Sequence, residues 1–77
     1  METHVTRVMV CGAGKIAEEL LARMGEGFNV TLVDLSDQHL NAFFQKYECV
    51  SRVVNGDASS PVVLNDAGLS DQDFVLA

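Results

Sequence analysis

The chain has 77 residues and a mass of 8.3 kDa, which allow one small domain or part of one. Hydrophobic residues make up 48% and charged residues 21%, as in globular proteins. No apolar run approaches the roughly 20 residues that cross a bilayer, and no signal-peptide pattern points to export. Five basic against eleven acidic residues give a net charge of −6, so the basic surface of a nucleic-acid-binding protein is absent from the sequence.

The first predicted strand, residues 7–11, is a short valine-rich run that is typical of a strand buried on both faces. A stripe of apolar residues with the spacing of one helix face predicts the next element. This stripe consists of Ile16, Ala17, Leu20, Leu21 and Met24. Gly25 and Gly27 are expected to end the helix, because glycine is favoured beyond helix C-termini.

A second strand is predicted over residues 29–34, and Ser36 is the expected N-cap of the helix that follows it. The apolar face of this second helix is expected to comprise Leu40, Phe43, Phe44 and Tyr47. Residues 50–55 predict a third strand. Ser51 and Arg52 interrupt its apolar character, which favours an edge position for it.

The third predicted helix is marked at both ends. Ser60 is its expected N-cap, Pro61 occupies its first position, and Gly68 lies beyond its end. Its inner face would carry Val63, Leu64 and Ala67, and residues 74–77 begin a fourth strand. Strands that alternate with helices over short connections predict an α/β fold with a parallel sheet and right-handed crossovers.

One segment between the first strand and the first helix fits the dinucleotide-binding pattern G-x-G-x-x-G/A. It consists of Gly12, Ala13, Gly14, Lys15, Ile16 and Ala17. Gly12 permits the tight turn, Gly14 lets the backbone approach a pyrophosphate, and Ala17 lets the helix pack close to the sheet. The free N–H groups at the start of the helix would face the phosphates. Lys15 either supports a bound phosphate or points into water.

Asp34 lies twenty residues after Gly14, at the end of the second predicted strand, where an acid accepts hydrogen bonds from ribose hydroxyls. Its charge would repel a 2′-phosphate, and no arginine follows in residues 35–37, so NAD(H) is predicted over NADP(H). ATP and ADP share the adenosine and the phosphates and stay open as ligands. Leu35, the next residue, is included in the predicted cofactor site. The alternative is that the glycines only form a turn and Asp34 only caps a helix.

Gly56, Asp57 and Ala58 are predicted to turn the chain just after the third strand, at the sheet edge where ligands of parallel sheets bind. The Asp57 carboxylate or the neighbouring backbone, with Ala58 included in the predicted site, would contact the adenine, although an acid here can also serve only to form a turn. Cys11 and Cys49 are expected to be small buried residues with free thiols, and His4 and His39 to be solvated or locally bonded. No catalytic or metal-binding residue is predicted.

The sequence resembles the N-terminal nucleotide-binding part of an RCK/KTN domain of the TrkA-N type, found in potassium uptake systems and K⁺ channels. Three stretches carry the resemblance: RVMVCGAGKIAEELL, VTLVDLS and VNGDASSPVVLNDAGLSDQDFVLA. The last is the most discriminating, because GDA followed by a short helix ending in DAGL is not typical of dehydrogenases in general. Ala17 departs from the family's usual glycine.

This resemblance covers residues 6–77, leaves residues 1–5 as an N-terminal extension, and implies a truncated Rossmann-like, doubly wound parallel sheet of order 3-2-1-4. It implies a cytoplasmic regulatory module, not an enzyme, that binds NAD(H), or ATP or ADP. This module would gate a separate K⁺ pore, which belongs to a channel or transporter subunit, from the inner face of the membrane. The alternative is the cofactor-binding half of an NAD-dependent oxidoreductase, and a fragment without ligand affinity is a third possibility. The apolar fourth strand, at the sheet edge, predicts self-association as a homo-oligomer.

Overall fold

The computed structural model describes residues 5–24 and 27–76. Within these ranges, strands and helices alternate along the chain as predicted, with one additional 3₁₀ turn before the last strand. The elements are β1 (Thr6–Cys11), α1 (Lys15–Arg23), β2 (Phe28–Asp34), α2 (Asp37–Lys46), β3 (Val50–Asn55), α3 (Pro61–Asp66), the 3₁₀ turn (Leu69–Asp71) and β4 (Phe74–Leu76).

The four strands form one parallel sheet of order β3-β2-β1-β4, which confirms the predicted Rossmann-like topology. In its register, Val8 lies opposite both Val30 and Phe74. The carboxyl ends of the strands therefore meet at one edge, where Asp34 lies opposite Asn55. β3 is an edge strand as predicted, and its register with β2 shifts by one residue at Ser51.

Helices pack on both faces of the sheet, which confirms the doubly wound arrangement. Successive β1 side chains point to opposite faces, since the side-chain period of a strand is two. Val8 and Val10 are buried beneath α1 and α2 with Ala17, Leu21, Leu40, Val30, Leu32 and Val50. Met9 is buried on the other face with Val33 and with Ala67 from the end of α3.

Two residues predicted on inward helix faces lie outside the core. Ile16 is 84% exposed and Phe44 is 50% exposed. In α1 the buried residues are Ala17 and Leu21, one turn apart. Ile16 precedes Ala17 and points about 100° away from it around the helix, so it misses the sheet. In α2, Leu40 is buried and Phe43 and Tyr47 pack partly buried against the core, whereas Phe44 stays half-exposed.

The predicted N-caps of α2 and α3 are confirmed, and α1 ends before the two glycines expected to stop it. Ser36 and Ser60 are N-caps whose side chains accept from the backbone N–H groups of His39 and Val63. α1 ends at Arg23, ahead of Gly27, which has a left-handed φ of 94°. The predicted stop at Gly25 falls outside the described residues, as does His4.

Candidate functional site

The glycine loop, residues 12–14, connects β1 to α1 at the carboxyl edge of the sheet. Gly12 has a φ of 97°, in the left-handed region that favours glycine, and its N–H donates to the carbonyl of Val33 at 2.7 Å. Gly14 is the N-cap of α1, and a Cβ added to it would meet nothing within 4 Å. The space beside Gly14 is therefore open, and the first N–H groups of α1 have no partner within the helix.

The Asp34 carboxylate links the glycine loop to the turn between β2 and α2. Its Oδ1 accepts from the Ala13 N–H at 3.1 Å, and its Oδ2 accepts from the Ser36 N–H at 2.9 Å. The side chain is 19% exposed. Each carboxylate oxygen can accept a further bond, so both can still receive a ligand hydroxyl.

The charge of Asp34 is favoured by its surroundings. Burial, the largest single effect, raises the pKa of this carboxyl group, but the N–H groups of Ala13 and Ser36 and the nearby His39 together outweigh it. The net result is a pKa below the ordinary value for aspartate. Asp34 is therefore an anion at neutral pH.

His39 is a neighbour of Asp34 that the sequence reasoning missed as part of the site. Its Nδ1 lies 3.7 Å from Oδ2 of Asp34. The signal that could have found it is the N-cap, because Ser36 fixes the first turn of α2 beside the end of β2. The backbone N–H of His39 donates to the Ser36 hydroxyl at 3.3 Å.

The ends of β2 and β3 are tied together beside Asp34. The Gly56 N–H donates to the Asp34 carbonyl at 3.0 Å, and the Asn55 side-chain amide donates to the Leu35 carbonyl at 2.9 Å. The Leu35 side chain is 73% exposed at this edge. Its apolar surface is available to a planar group such as a nucleobase.

Asp57 follows this edge and lies in a hydrogen-bonded turn. Its Oδ1 accepts from the Ser59 N–H at 2.8 Å and from the Ser59 hydroxyl at 2.7 Å. These bonds lower the pKa of the exposed Asp57 carboxyl group. Ala58 is half-buried against the α3 side of the sheet. The turn-forming role considered for Asp57 is thus present, and Oδ2 is the oxygen left for a ligand.

A cavity of about 450 Å³ opens on the other side of the glycine loop from Asp34. It lies between α1 and the β1–β4 side of the sheet, and mixes glycine-loop residues with apolar side chains. Its lining includes Gly12, Gly14, Lys15, Ile16, Leu20 and Leu76. Because the glycine loop separates this cavity from Asp34, a ligand that contacts both must be elongated and cross the loop.

Other chemistry is sparse in the described part of the chain. Residues 5–24 and 27–76 contain no group of three metal-ligating side chains and no helix long and apolar enough to cross a bilayer. Cys11 and Cys49 are free thiols, as expected, but are half-buried rather than buried. Burial raises the pKa of both thiols.

Comparison with known proteins places nearly the whole chain in one family. Residues 8–77 match the model of the TrkA-N domain. The chain is 38% identical over 72 residues to the Trk system potassium uptake protein TrkA of Vibrio alginolyticus, and 36% identical over 72 residues to that of Haemophilus influenzae. Each match covers 92% of this chain but only 15% of the relative.

Proposed function

The chain belongs to the TrkA-N domain family, and on that premise we propose that it is an NAD(H)-binding regulatory module of a potassium uptake system. TrkA-N domains are nucleotide-binding domains. The relatives are named as potassium uptake proteins. The proposal adds three points to the family assignment: the choice of nucleotide, the residues that bind it and the control of a pore.

The observation that carries the proposal is the position of the Asp34 carboxylate, which is hydrogen-bonded to the glycine loop through the Ala13 N–H at 3.1 Å. An adenosine ribose bound to Asp34 would bring its phosphates to the glycine loop. Gly12 and Gly14 leave the backbone open to the pyrophosphate, whose charge the first N–H groups of α1 stabilise. Lys15, in that first turn, adds a cation.

The adenine is proposed to lie over the exposed Leu35 side chain and towards Asp57 and Ala58. The second half of a dinucleotide would enter the cavity beyond the loop, which Ile16, Ala17 and Leu20 help to line. That cavity supports NAD(H) over a mononucleotide, which would leave it unused. ATP and ADP are the second candidates, because they present the same adenosine and phosphates to Asp34.

Replacement of Asp34 tests the site. We expect Asp34→Ala to weaken NAD⁺ binding by about tenfold or more in calorimetric titration, because the charge-assisted bonds to the ribose hydroxyls are lost. Asp37→Asn is the matched control, since it removes an exposed acid three residues away in the first turn of α2. Equal affinities of Asp34→Ala and the unaltered protein would remove Asp34 from the site. Competition by ATP and ADP in the same titration ranks the nucleotides.

The proposed partner is a membrane subunit that contains a K⁺ pore, with this module on its cytoplasmic face. Nucleotide binding would regulate the pore if the module binds the nucleotide with different affinity when the pore is open and when it is closed. Co-purification of the module with the pore subunit and nucleotide-dependent K⁺ uptake are the expected results. The oxidoreductase alternative instead predicts hydride transfer from bound NADH, which turnover assays on the full-length protein would detect.

A further inference from the structure

His39 places an ionisable side chain beside the anion that the proposed function assigns to the ribose. Its Nδ1 lies 3.7 Å from Oδ2 of Asp34, and its side chain is 61% exposed. The backbone of α2 fixes this position, because the His39 N–H is bonded to the N-cap hydroxyl of Ser36. The imidazole is therefore near Asp34 and accessible to a ligand.

We propose that His39 is a specificity-determining residue of the nucleotide site, whose charge sets how strongly the site discriminates against a ribose 2′-phosphate. This inference rests on the proposed function. When His39 is neutral, the 2′-position of the ribose faces the full negative charge of Asp34. When His39 is protonated, the pair has no net charge and the exposed imidazolium can donate to a phosphate oxygen.

The protonated pair also changes the binding of the unmodified ribose. Oδ1 and Oδ2 of Asp34 each hold one backbone N–H and have further acceptor capacity. The His39 Nδ1 lies 3.7 Å from Oδ2, and a protonated imidazole that moved within hydrogen-bond distance would occupy the remaining acceptor position of Oδ2. A ribose hydroxyl could then no longer bind there. Protonation of His39 therefore weakens NAD(H) binding while it favours NADP(H), and both effects narrow the difference in affinity between the two cofactors.

Asp37 and Lys46 are the other charged residues of α2, and the remaining charged groups near His39 lie on neighbouring elements. In the described ranges, Asp34 is the one carboxylate within ion-pair distance of His39. Asp37 shares the first turn of α2, Lys15 is the first residue of α1, and two sets of contacts are already formed. These are Glu18 of α1 with Lys46 at 3.1 Å, and Arg52 of β3 with the carbonyls of Asp66 and Ala67. Histidine is the side chain whose charge ordinarily changes between pH 5 and 8, so this is the range over which the proposal is tested.

The test compares dissociation constants for NAD⁺ and NADP⁺ near pH 6 and pH 8 in the unaltered protein and in His39→Gln. The 2′-phosphate itself loses charge near pH 6, and His39→Gln measures that background. We expect the NADP⁺-to-NAD⁺ ratio of dissociation constants to fall on acidification by about three- to tenfold more in the unaltered protein than in His39→Gln. His39→Lys, which is charged at both pH values, is expected to show weak discrimination throughout.

Asp37→Asn is the control for a charge change in the same helix turn, and we expect its pH dependence to follow the unaltered protein. Circular dichroism of each variant checks that the fold is retained. Equal pH dependence in His39→Gln and the unaltered protein, with NAD⁺ still bound, would overturn the role of His39 alone. Absence of binding of either dinucleotide at both pH values would overturn the proposed function and this inference together.

Discussion

The Asp34 carboxylate stabilises the fold as well as the proposed site, because it joins the Ala13 N–H to the Ser36 N–H across 23 residues of chain. Its pKa is lowered in the folded state, so folding favours the charged form. This contribution is present above the ordinary aspartate pKa of about 4 and is lost as the pH falls through the lower folded-state pKa.

The free energy of unfolding is therefore expected to decrease as the pH falls below about 4, with part of that decrease due to Asp34. Urea unfolding over this pH range measures it. Asp34→Asn should flatten the decline, since the amide does not titrate. Asp37→Asn is the control and should retain the slope attributable to Asp34. A decline of the same steepness in both variants would contradict the role assigned to the Asp34 hydrogen bonds.

At the scale of single residues, sequence predicted backbone requirements better than contacts. Gly12 was predicted from its place in a strand-to-helix turn, and its positive φ confirms the requirement. The prediction for Asp34 concerned a ligand, whereas the structure also shows its bonds to backbone N–H groups. His39 was missed because its approach to Asp34 depends on how α2 leaves the sheet. The Ser36 N-cap places His39 in the first turn of α2, but the direction in which α2 leaves β2 is not given by sequence spacing.

Among the elements, α3 depends on a close approach to the end of β3. A Cβ added to Gly56 would lie 2.8 Å from Cγ1 of Val63, closer than real contacts allow. The sequence marked Gly56 as a turn residue, but its φ is not in the positive range, so the space occupied by Val63 is the stronger requirement.

Gly56→Ala is accordingly expected to destabilise the protein by about 1–3 kcal/mol, because Val63 or the whole of α3 must shift. Urea unfolding gives the value. Gly14→Ala is the matched control, since a Cβ there meets nothing within 4 Å and the φ of −105° suits alanine. It should cost less stability than Gly56→Ala but weaken NAD⁺ binding. Equal losses of stability in the two variants would show that contact with Val63 is not the cause.

Elements with a strong local signal were predicted well. The bounds Val50–Asn55 of β3 and the serine N-caps of α2 and α3 are confirmed. The 3₁₀ turn was not predicted, because its apolar content is small and its position depends on distant groups. It follows Gly68, whose φ is 91° and whose carbonyl accepts from the Gln72 side chain at 3.2 Å.

For the whole molecule, the alternation of strands and helices predicted a parallel sheet, while the resemblance supplied the strand order. Periodicity tells which residues are buried but not which strand lies beside which. In the structure, β1 and β2 are the two interior strands, and Val8, Met9 and Val10 of β1 are all at or below 3% exposure, as are Val30, Leu32 and Val33 of β2. The outer edges of β3 and β4 are left without a neighbouring strand in the described residues.

β4 is the edge that favours association with another chain. Its three residues Phe74, Val75 and Leu76 are apolar and between 37% and 60% exposed, and its outer backbone groups face away from β1. Such an edge recruits a further strand unless a charge or a covering element prevents it.

We expect the 77-residue chain to self-associate at ~50 μM in sedimentation velocity, with the oligomeric fraction rising with concentration. Val75→Lys should shift the chain towards monomer, because a lysine on the edge opposes pairing, whereas Phe44→Lys, at an exposed apolar position on α2, should not. A monomer at every concentration would exclude edge pairing, and an oligomer equally sensitive to both substitutions would indicate non-specific apolar association instead.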